Sequence, residues 1–355
     1  MKNQLIKSKA IPLLISILFL LLVTTSCSPT EPDIKPPVEP DSTTQNFTFE
    51  TFEFGDGFES NELNDVWIFD ENNIWAVGYI RDTTTNNLAV NIIRWNGQKW
   101  FGFGNNLTSS GLTGIWAYDT NNVYLASGAL RKYENGAIKV IDLTHLTFST
   151  GQAINKLWGS SENNIWGIGP NSTIVHYDGV AWSKITFDEG WRFDAITGSK
   201  QTGIAFASAT SQQFNTIIVE LKNNTATVIY NSVNDPNNLK SFIIELFDEN
   251  TLILGDKSVW TYNLITGTTE SKYVFPINGD FINLSAFYSP KDVYLFADKY
   301  GEGEILLHFN GKRFANIIFS NRNSVIYGGA FAIKDLAVMT GFSNNKGYLV
   351  KVKRQ

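Results

Sequence analysis

The 355-residue sequence is poor in cysteine, histidine and charge. It holds one cysteine, Cys27, and three histidines, and charged residues make up 17% of it. A single cysteine excludes a disulfide within the chain. The formal net charge is −6, and few basic residues are clustered. We therefore expect no nucleic-acid partner, since such a partner needs a positive surface. No Cys/His metal spacing and no glycine-rich phosphate loop occurs, so we expect no metal and no cofactor.

Apolar and aromatic residues are abundant instead. The chain is 43% hydrophobic and 14% aromatic, and it is rich in residues that favour strands over helices. A chain of this length can bury a core large enough to hold it without disulfides. We therefore expect a globular all-β protein.

The N-terminus has the pattern of an export signal. Residues 1–9 carry three lysines, an apolar run follows from Ile11 to Val23, and small residues then lead into Cys27. This pattern predicts a signal peptide over residues 1–26, since the run is shorter than the roughly 20 residues of a membrane-spanning helix. It resembles a bacterial lipoprotein signal, and the resemblance implies lipid (palmitate) attachment at Cys27. An ordinary signal peptide with an incidental cysteine is the alternative.

A proline-rich tether follows over residues 27–45. Residues 28–45 hold five of the ten prolines and almost nothing apolar, so this segment cannot bury enough surface to fold. Such segments are extended, at about 3.1 Å per residue. We expect it to hold the remaining chain, residues 46–355, away from a membrane.

Residues 46–355 contain an internal repeat. Copies such as "DVWIFDENNIWAVG" from Asp65 and "KLWGSSENNIWGIG" from Lys156 recur along the chain. The apolar residue that follows the turn in each copy recurs every 39 to 49 residues, at Ile74, Val123, Ile165, Ile204, Leu252, Val293 and Leu336. This period is that of a four-stranded propeller blade. The sequence therefore predicts a single β-propeller, with seven four-stranded blades.

Two features complete the predicted blades. Asn/Asp-Gly pairs such as Asn96-Gly97 lie between apolar strands and predict hairpins with type I′ turns. The seventh copy lacks its fourth strand, while residues 47–54 form an alternating strand ahead of the first copy. We expect strand 47–54 to complete the last blade and so to remove exposed sheet edges.

The repeat resembles exported bacterial propellers with the pattern N-[IV]-W-x-[VA]-G followed by [WY]-[ND]-G-x-x-W. More distant relatives are the Asp-box propellers, among them sialidases, and the propeller assembly factors of photosystem II. The resemblance rests on structural positions, so it implies the fold and says little about function.

Most residues that suggest a site recur in register. Nine of the ten tryptophans occupy repeat positions, and the acids Asp70/Glu71, Glu162, Asp248/Glu249 and Asp292 fall at one inter-strand turn. We interpret the former as packing between blades and the latter as turn residues, so no catalytic residue is assigned. His176 and His308 are equivalent in repeats three and six and lie too far apart to share a metal. Irregular positions remain as candidate partner contacts: Trp191, Arg192, and the loop residues Arg81 and Tyr300.

The leading functional hypothesis is a monomeric, non-catalytic cell-envelope lipoprotein whose propeller binds or scaffolds a protein or glycan. The lipid would attach it to the outer membrane of a Gram-negative bacterium, facing either the periplasm or the outside. The alternatives are a glycan-active hydrolase or lyase and an envelope assembly factor. Acids and a tyrosine that converge at the channel mouth would favour the enzyme.

Lipid attachment at Cys27 is testable in the producing cell. We expect Cys27→Ala to lose incorporation of labelled palmitate, because the thiol is the acceptor, whereas Ser26→Ala keeps it. Gel fluorography with mass spectrometry of the N-terminal peptide measures the label. Label on the Cys27→Ala protein, or no label on the Ser26→Ala protein, would contradict the prediction.

Overall fold

The polypeptide is almost entirely strand. The computed structural model describes residues 42–55, 61–81, 89–235, 237, 239, 243–255, 258–274, 281–299, 303–320 and 325–355. Within these ranges one short 3-10 helix, Ser232–Asn234, stands among the strands. No helix in these ranges is long and apolar enough to cross a membrane.

The strands form seven four-stranded antiparallel sheets, or blades. Blade 1 contains β2 (Glu62–Asp70), β3 (Asn73–Arg81), β4 (Ala89–Trp95) and β5 (Trp100–Asn105). Blade 2 contains β6 (Gly114–Asp119), β7 (Asn122–Ser127), β8 (Ala129–Glu134) and β9 (Ala137–Val140). Blade 3 contains β10 (Lys156–Ser161), β11 (Asn164–Gly169), β12 (Thr173–Tyr177) and β13 (Trp182–Lys184).

The remaining blades follow the same order. Blade 4 contains β14 (Trp191–Gly198), β15 (Ala205–Ser211), β16 (Thr216–Lys222) and β17 (Thr225–Asn231). Blade 5 contains β18 (Ile243–Asp248), β19 (Thr251–Gly255), β20 (Ser258–Asn263) and β21 (Thr268–Val274). Blade 6 contains β22 (Phe281–Ser289), β23 (Asp292–Lys299), β24 (Gly303–Phe309) and β25 (Phe314–Ser320). Blade 7 contains β26 (Ile326–Ile333), β27 (Leu336–Ser343), β28 (Lys346–Arg354) and β1 (Phe47–Phe54).

The blades close into a ring. The first strand of each blade contacts the first strands of both neighbouring blades, and β26 of blade 7 returns to β2 of blade 1. These seven inner strands surround a central channel. The predicted seven-bladed propeller is confirmed.

Short polar side chains make the turn between the first two strands of a blade. Asp70 Oδ1 accepts a hydrogen bond from the backbone N–H of Asn72 at 2.7 Å. Asp119 and Asp248 accept the equivalent bonds in blades 2 and 5. A carboxylate held this way satisfies backbone donors that the turn leaves free. The repeated acids are therefore structural at these positions.

The loop at Asn96-Gly97 differs from the predicted type I′ turn, whereas Asn135-Gly136 joins Glu134 to Ala137 as a two-residue loop with φ of 50° and 84°. Trp95 pairs with Trp100, so the loop between them has four residues instead of two. Asn96 Oδ1 accepts the backbone N–H groups of Gln98 and Lys99 at 3.1 and 2.9 Å, and of the Asn-Gly pair only Gly97 has a positive φ, 87°. A type I′ turn needs positive φ at both central positions. The side-chain hydrogen bonds hold this longer loop in its place.

The N-terminal strand completes blade 7. β1 pairs antiparallel with β28 along its whole length, from Phe47 opposite Arg354 to Phe54 opposite Gly347. Phe52 and Phe54 pack against the core around Leu63 and Leu349. The predicted closure by strand 47–54 is confirmed.

Both ends of the described part of the chain are also bonded to blade 6. The Arg354 guanidinium donates to both carboxylate oxygens of Asp292 at 2.5 Å each, and to Asp335. The backbone N–H of Thr43 donates to the carbonyl of Asn310 at 3.1 Å. Blade 6 therefore holds the first and the last described segments of the chain.

Asp292 corrects the expectation that it is a turn residue. It begins β23, is 1% exposed and lies 2.8 Å from His308 Nε2. Burial raises its pKa, but hydrogen bonds from His308 and Arg354 outweigh burial, and the net pKa lies below the ordinary value. An acid with a lowered folded-state pKa stabilises the fold above its unfolded pKa, and this stabilisation is lost as the pH falls.

We expect Arg354→Ala to lower the free energy of unfolding by about 3–5 kcal/mol, because it leaves the Asp292 carboxylate buried without its cation. The matched control is Lys353→Ala, whose pair with Glu71 is exposed at both ends, 57% and 62%. Its effect should stay within about 0.5 kcal/mol. Chemical denaturation at neutral pH measures both, and equal losses would contradict the role of Arg354 in ring closure.

Candidate functional site in the central channel

The seven inner strands line a channel of about 1090 Å³. The loops between the first and second strands, and those between the third and fourth, lie on one face of the ring, which we call the turn face. The loops between second and third strands lie on the opposite face, which we call the connector face. Five acidic and three basic residues line the channel, Asp65, Asp194, Glu245, Asp248, Glu249, Lys156, Arg192 and Lys200.

Three tryptophans occupy one side of the channel wall and pack between blades. Trp67, Trp116 and Trp158 come from blades 1, 2 and 3. A Cβ on Gly159 would lie 2.6 Å from the Trp116 ring, and one on Gly198 would lie 2.6 Å from the Trp158 ring. The rings of Trp116 and Trp158 therefore fill space that a glycine in the next blade leaves open, while Trp67 packs against Trp116 and Phe331. These side chains stabilise the contacts between blades.

A salt bridge spans the channel end of blade 2. Lys156 Nζ of blade 3 lies 3.3 Å from Asp65 Oδ2 of blade 1 and 3.2 Å from the carbonyl of Asn64. Blade 2 has Gly114 at the equivalent position, so no side chain obstructs this reach. The pair ties two blades that are not neighbours.

Arg192, a predicted partner contact, lies at the channel. Its Nε is 2.7 Å from Asp194 Oδ1, and its side chain is 62% exposed. Asp194 also accepts from the Thr210 hydroxyl at 2.7 Å. Trp191 is half-buried and packs against a core shared by blades 3 and 4. A partner contact at Trp191 and Arg192 stays a prediction.

Arg81, another predicted contact, does not line the channel. Arg81 is the last residue of β3, and its backbone N–H donates to Asn61 Oδ1 at 2.5 Å. Tyr300 and Cys27 lie outside the described residues, as does most of the loop that follows Arg81. A role for them stays a prediction.

The two histidines in equivalent strands belong to blade cores. His176 Nε2 lies 2.7 Å from Asn164 Oδ1, and its ring stacks on Trp166 at 3.8 Å. His308 holds the same position in blade 6, bonded to Asp292. Burial lowers the pKa of His176. Across the described residues no group of three or more His, Cys, Asp or Glu could hold a metal.

Glu245 faces the channel from blade 5. Its Oε1 accepts from the Ser285 hydroxyl at 2.9 Å and its Oε2 from the Thr197 hydroxyl at 3.3 Å. Thr197 Oγ1 in turn lies 3.4 Å from the backbone N of Leu246. Burial raises the pKa of Glu245 to about 7. Sequence reasoning missed this residue, because its weak repeat copy aligns glutamate with the tryptophans of blades 1–3 and gave no reason to single it out.

Four aromatic side chains surround the channel mouth on the turn face. Each occupies a β-bulge just before the turn of its blade. We call these four residues the aromatic rim: Phe69, Tyr118, Phe247 and Tyr288. Tyr118 and Tyr288 are 54% and 45% exposed. Blade 3 carries Ser160 at this position. The recurrence of an aromatic residue just before the turn was the signal that could have found the rim.

No family model and no curated protein sequence matches this chain. Solved structures do resemble it. The structure of YCF48 bound to D1 peptide has a TM-score of 0.64 at 13% identity, covering 86% of this chain and 97% of that one. A catalytically inactive virginiamycin B lyase from Staphylococcus aureus with quinupristin has a TM-score of 0.63 at 12% identity, covering 87% and 100%. The WD40 propeller domain of Doa1 has a TM-score of 0.60 at 10% identity, covering 86% and 95%. At these identities the likeness shows the propeller fold.

The raised pKa of Glu245 predicts a pH-dependent stability. A carboxyl whose folded pKa exceeds its unfolded one is stabilising when protonated, so this stability is lost as the pH rises from about 4.5 through about 7. We expect Glu245→Gln to raise the free energy of unfolding by about 1–3 kcal/mol near pH 8 and by close to nothing near pH 5. Urea denaturation at the two pH values measures this. The same change at both would show that Glu245 does not titrate between them.

Proposed function

We propose that this chain is an outer-membrane lipoprotein of a Gram-negative cell envelope, whose propeller is a non-catalytic module that binds or scaffolds a protein partner. The observation that carries the proposal is the aromatic rim around one mouth of the channel. Tyrosine side chains that are exposed together at a rigid mouth are typical of binding surfaces, because they offer large contact area at low entropic cost.

The rim is supported by rigid structure. Phe69 packs edge-on against the buried ring of Trp75, with centroids 5.8 Å apart, and Phe247 lies 6.3 Å from Phe287. Tyr118 and Tyr288 stand beside them with roughly half of their surface in solvent. A partner that covers these two rings would bury apolar area without reordering the ring. This favours recognition by a preformed surface.

Fold-level likeness supports the same choice of function. YCF48 carries a D1 peptide, so a propeller of similar shape accommodates a protein segment. The lipid at Cys27 and the proline-rich tether would present the turn face or the connector face to a partner in the envelope. An assembly or scaffolding factor is a case of this proposal, in which the partner is an envelope complex.

A second candidate function is a glycan-active hydrolase or lyase with Glu245 as general acid. The raised pKa of Glu245 favours it, because a general acid works best near the ambient pH. Glycosidases need a second carboxylate beside the first. Of the other channel acids, Asp65 and Asp194 are each held by a cation, Lys156 and Arg192, and Asp248 and Glu249 are exposed at the mouth. This candidate therefore ranks second, and release of reducing ends from envelope polysaccharides, absent with Glu245→Gln, would support it.

The binding proposal is tested by photo-crosslinking in intact cells. A photoreactive phenylalanine analogue replaces Tyr118 or Tyr288, and the same analogue at Phe214 is the control. Phe214 is 62% exposed and lies in the loop between β15 and β16, on the connector face. We expect both rim positions to crosslink to one and the same protein, and Phe214 not to.

The affinity for that protein then checks the rim directly. The double variant Tyr118→Ala/Tyr288→Ala should bind it at least about tenfold more weakly, while Phe214→Ala should bind as the wild type does. A glycan array with the same variants reports on a carbohydrate partner instead. Crosslinks that are equal at Phe214, or an affinity that the double variant leaves unchanged, would overturn the proposal.

A further inference from the structure

At one level of the channel wall, the side chains are aromatic in some blades and small or polar in others. Trp67, Trp116 and Trp158 of blades 1–3 each pair with an aromatic residue in the second strand of their own blade. The positions that correspond to them in blades 4 to 7 are Thr197, Glu245, Ala286 and Ala332. Aromatic rings therefore line one side of the channel at this level, and small or polar side chains line the other.

The polar side is centred on Glu245. Blade 5 lies across a seven-bladed ring from blades 1 and 2, so its carboxylate faces the side that carries Trp67 and Trp116. Ser285 Oγ and Thr197 Oγ1 approach Glu245 from the two neighbouring blades. Three consecutive blades thus contribute to one polar site within the channel.

Glu245 differs from the two aspartates inside the channel, and from Asp248 and Glu249, which are exposed at its mouth. Asp65 lies 3.3 Å from Lys156, and Asp194 lies 2.7 Å from Arg192. Among the described residues Glu245 has hydroxyl partners and no cation within salt-bridge distance. A partly buried carboxylate without a cation is costly, and a cationic ligand would offset that cost.

The opposite wall suits the same ligand. Its tryptophans are packed: the Trp67 ring lies 4.2 Å from that of Phe331 and 6.4 Å from that of Trp116, which is 3% exposed, so this wall is apolar and rigid. The hydroxyls of Ser285 and Thr197 orient the carboxylate and cannot neutralise it. A carboxylate that faces an apolar wall across a cavity can pair with the charged end of an organic cation, while the wall contacts the cation's apolar stem.

We propose that the channel binds an organic cation, a primary ammonium or guanidinium group, which pairs with Glu245 between Ser285 and Thr197. The inference deepens the binding function proposed above, and rests on it, by naming the chemistry that the channel recognises. The group belongs either to a free amine or to a Lys or Arg side chain that a protein partner inserts from the aromatic rim.

Binding is coupled to the protonation of Glu245, since a cation pairs with the carboxylate form. Burial raises the pKa of Glu245 to about 7. We therefore expect affinity for the cation to rise as the pH increases from about 6 to about 8 and to level off above that. The charged groups that share the channel are Asp65, Lys156, Arg192, Asp194, Lys200, Asp248 and Glu249.

The test uses the full-length protein in detergent and isothermal titration. One pair of probes is agmatine and cadaverine, and the other is a blocked tripeptide with a central Lys and its norleucine counterpart. We expect at least one cationic probe to bind, the norleucine peptide not to bind, and Glu245→Gln to weaken binding at least about tenfold near pH 8. Binding by the peptide alone would assign the cation to a protein partner, and binding by the amines alone to a small molecule.

Glu189→Gln is the matched control. It removes one negative charge from an exposed residue that does not line the channel, and should change affinity less than about twofold. Equal losses in the two variants, binding of the norleucine peptide, or binding of no cationic probe would each overturn the proposal. Such a failure leaves the crosslinking result at the aromatic rim unaffected, because that result is read on a different surface.

Discussion

The closure of the ring in blade 7 is the constraint on which the rest of the structure depends. Each inner strand contacts its neighbours on both sides, so the channel exists only if the first and last blades meet. β1 and β28 pair over their whole lengths, and Arg354 binds the buried carboxylate of Asp292 in blade 6. A chain of seven sheets would otherwise end in exposed edges. The pairing of β1 with β28 thus closes the ring.

Closure also determines what the channel is able to do. Blades 1–3 fill their inner positions with tryptophans, of which Trp116 and Trp158 pack on glycines of the next blade. Blades 4 and 5 place Thr197 and Glu245 at the same level. The channel therefore has one apolar wall and one polar wall, although its backbone is close to sevenfold symmetric. The candidate functional residues lie where the sequence departs from the repeat. The residues that follow the repeat pack between the blades.

Much of the fold could be predicted from the sequence, and much less of the site. The period of the apolar residues after each turn gave the number of blades, and the strand 47–54 indicated how the last blade closes. The turn type at Asn96-Gly97 was wrong, since the side chain of Asn96 stabilises a longer loop by local hydrogen bonds. Asp292 was interpreted as one more turn acid, because its partner Arg354 lies 62 residues further along the chain.

The sequence by itself determined the repeat, the strand order and the assignment of most tryptophans and acids to structural positions. These properties depend on local pattern and periodicity, which a linear chain displays directly. Only the tertiary structure decided that Glu245 lies between Ser285 and Thr197, and that Tyr118 and Tyr288 belong to one rim. Both groupings join residues from different blades, and ring geometry sets those distances. A seven-bladed propeller was thus predictable from the chain, whereas its candidate binding surface was not.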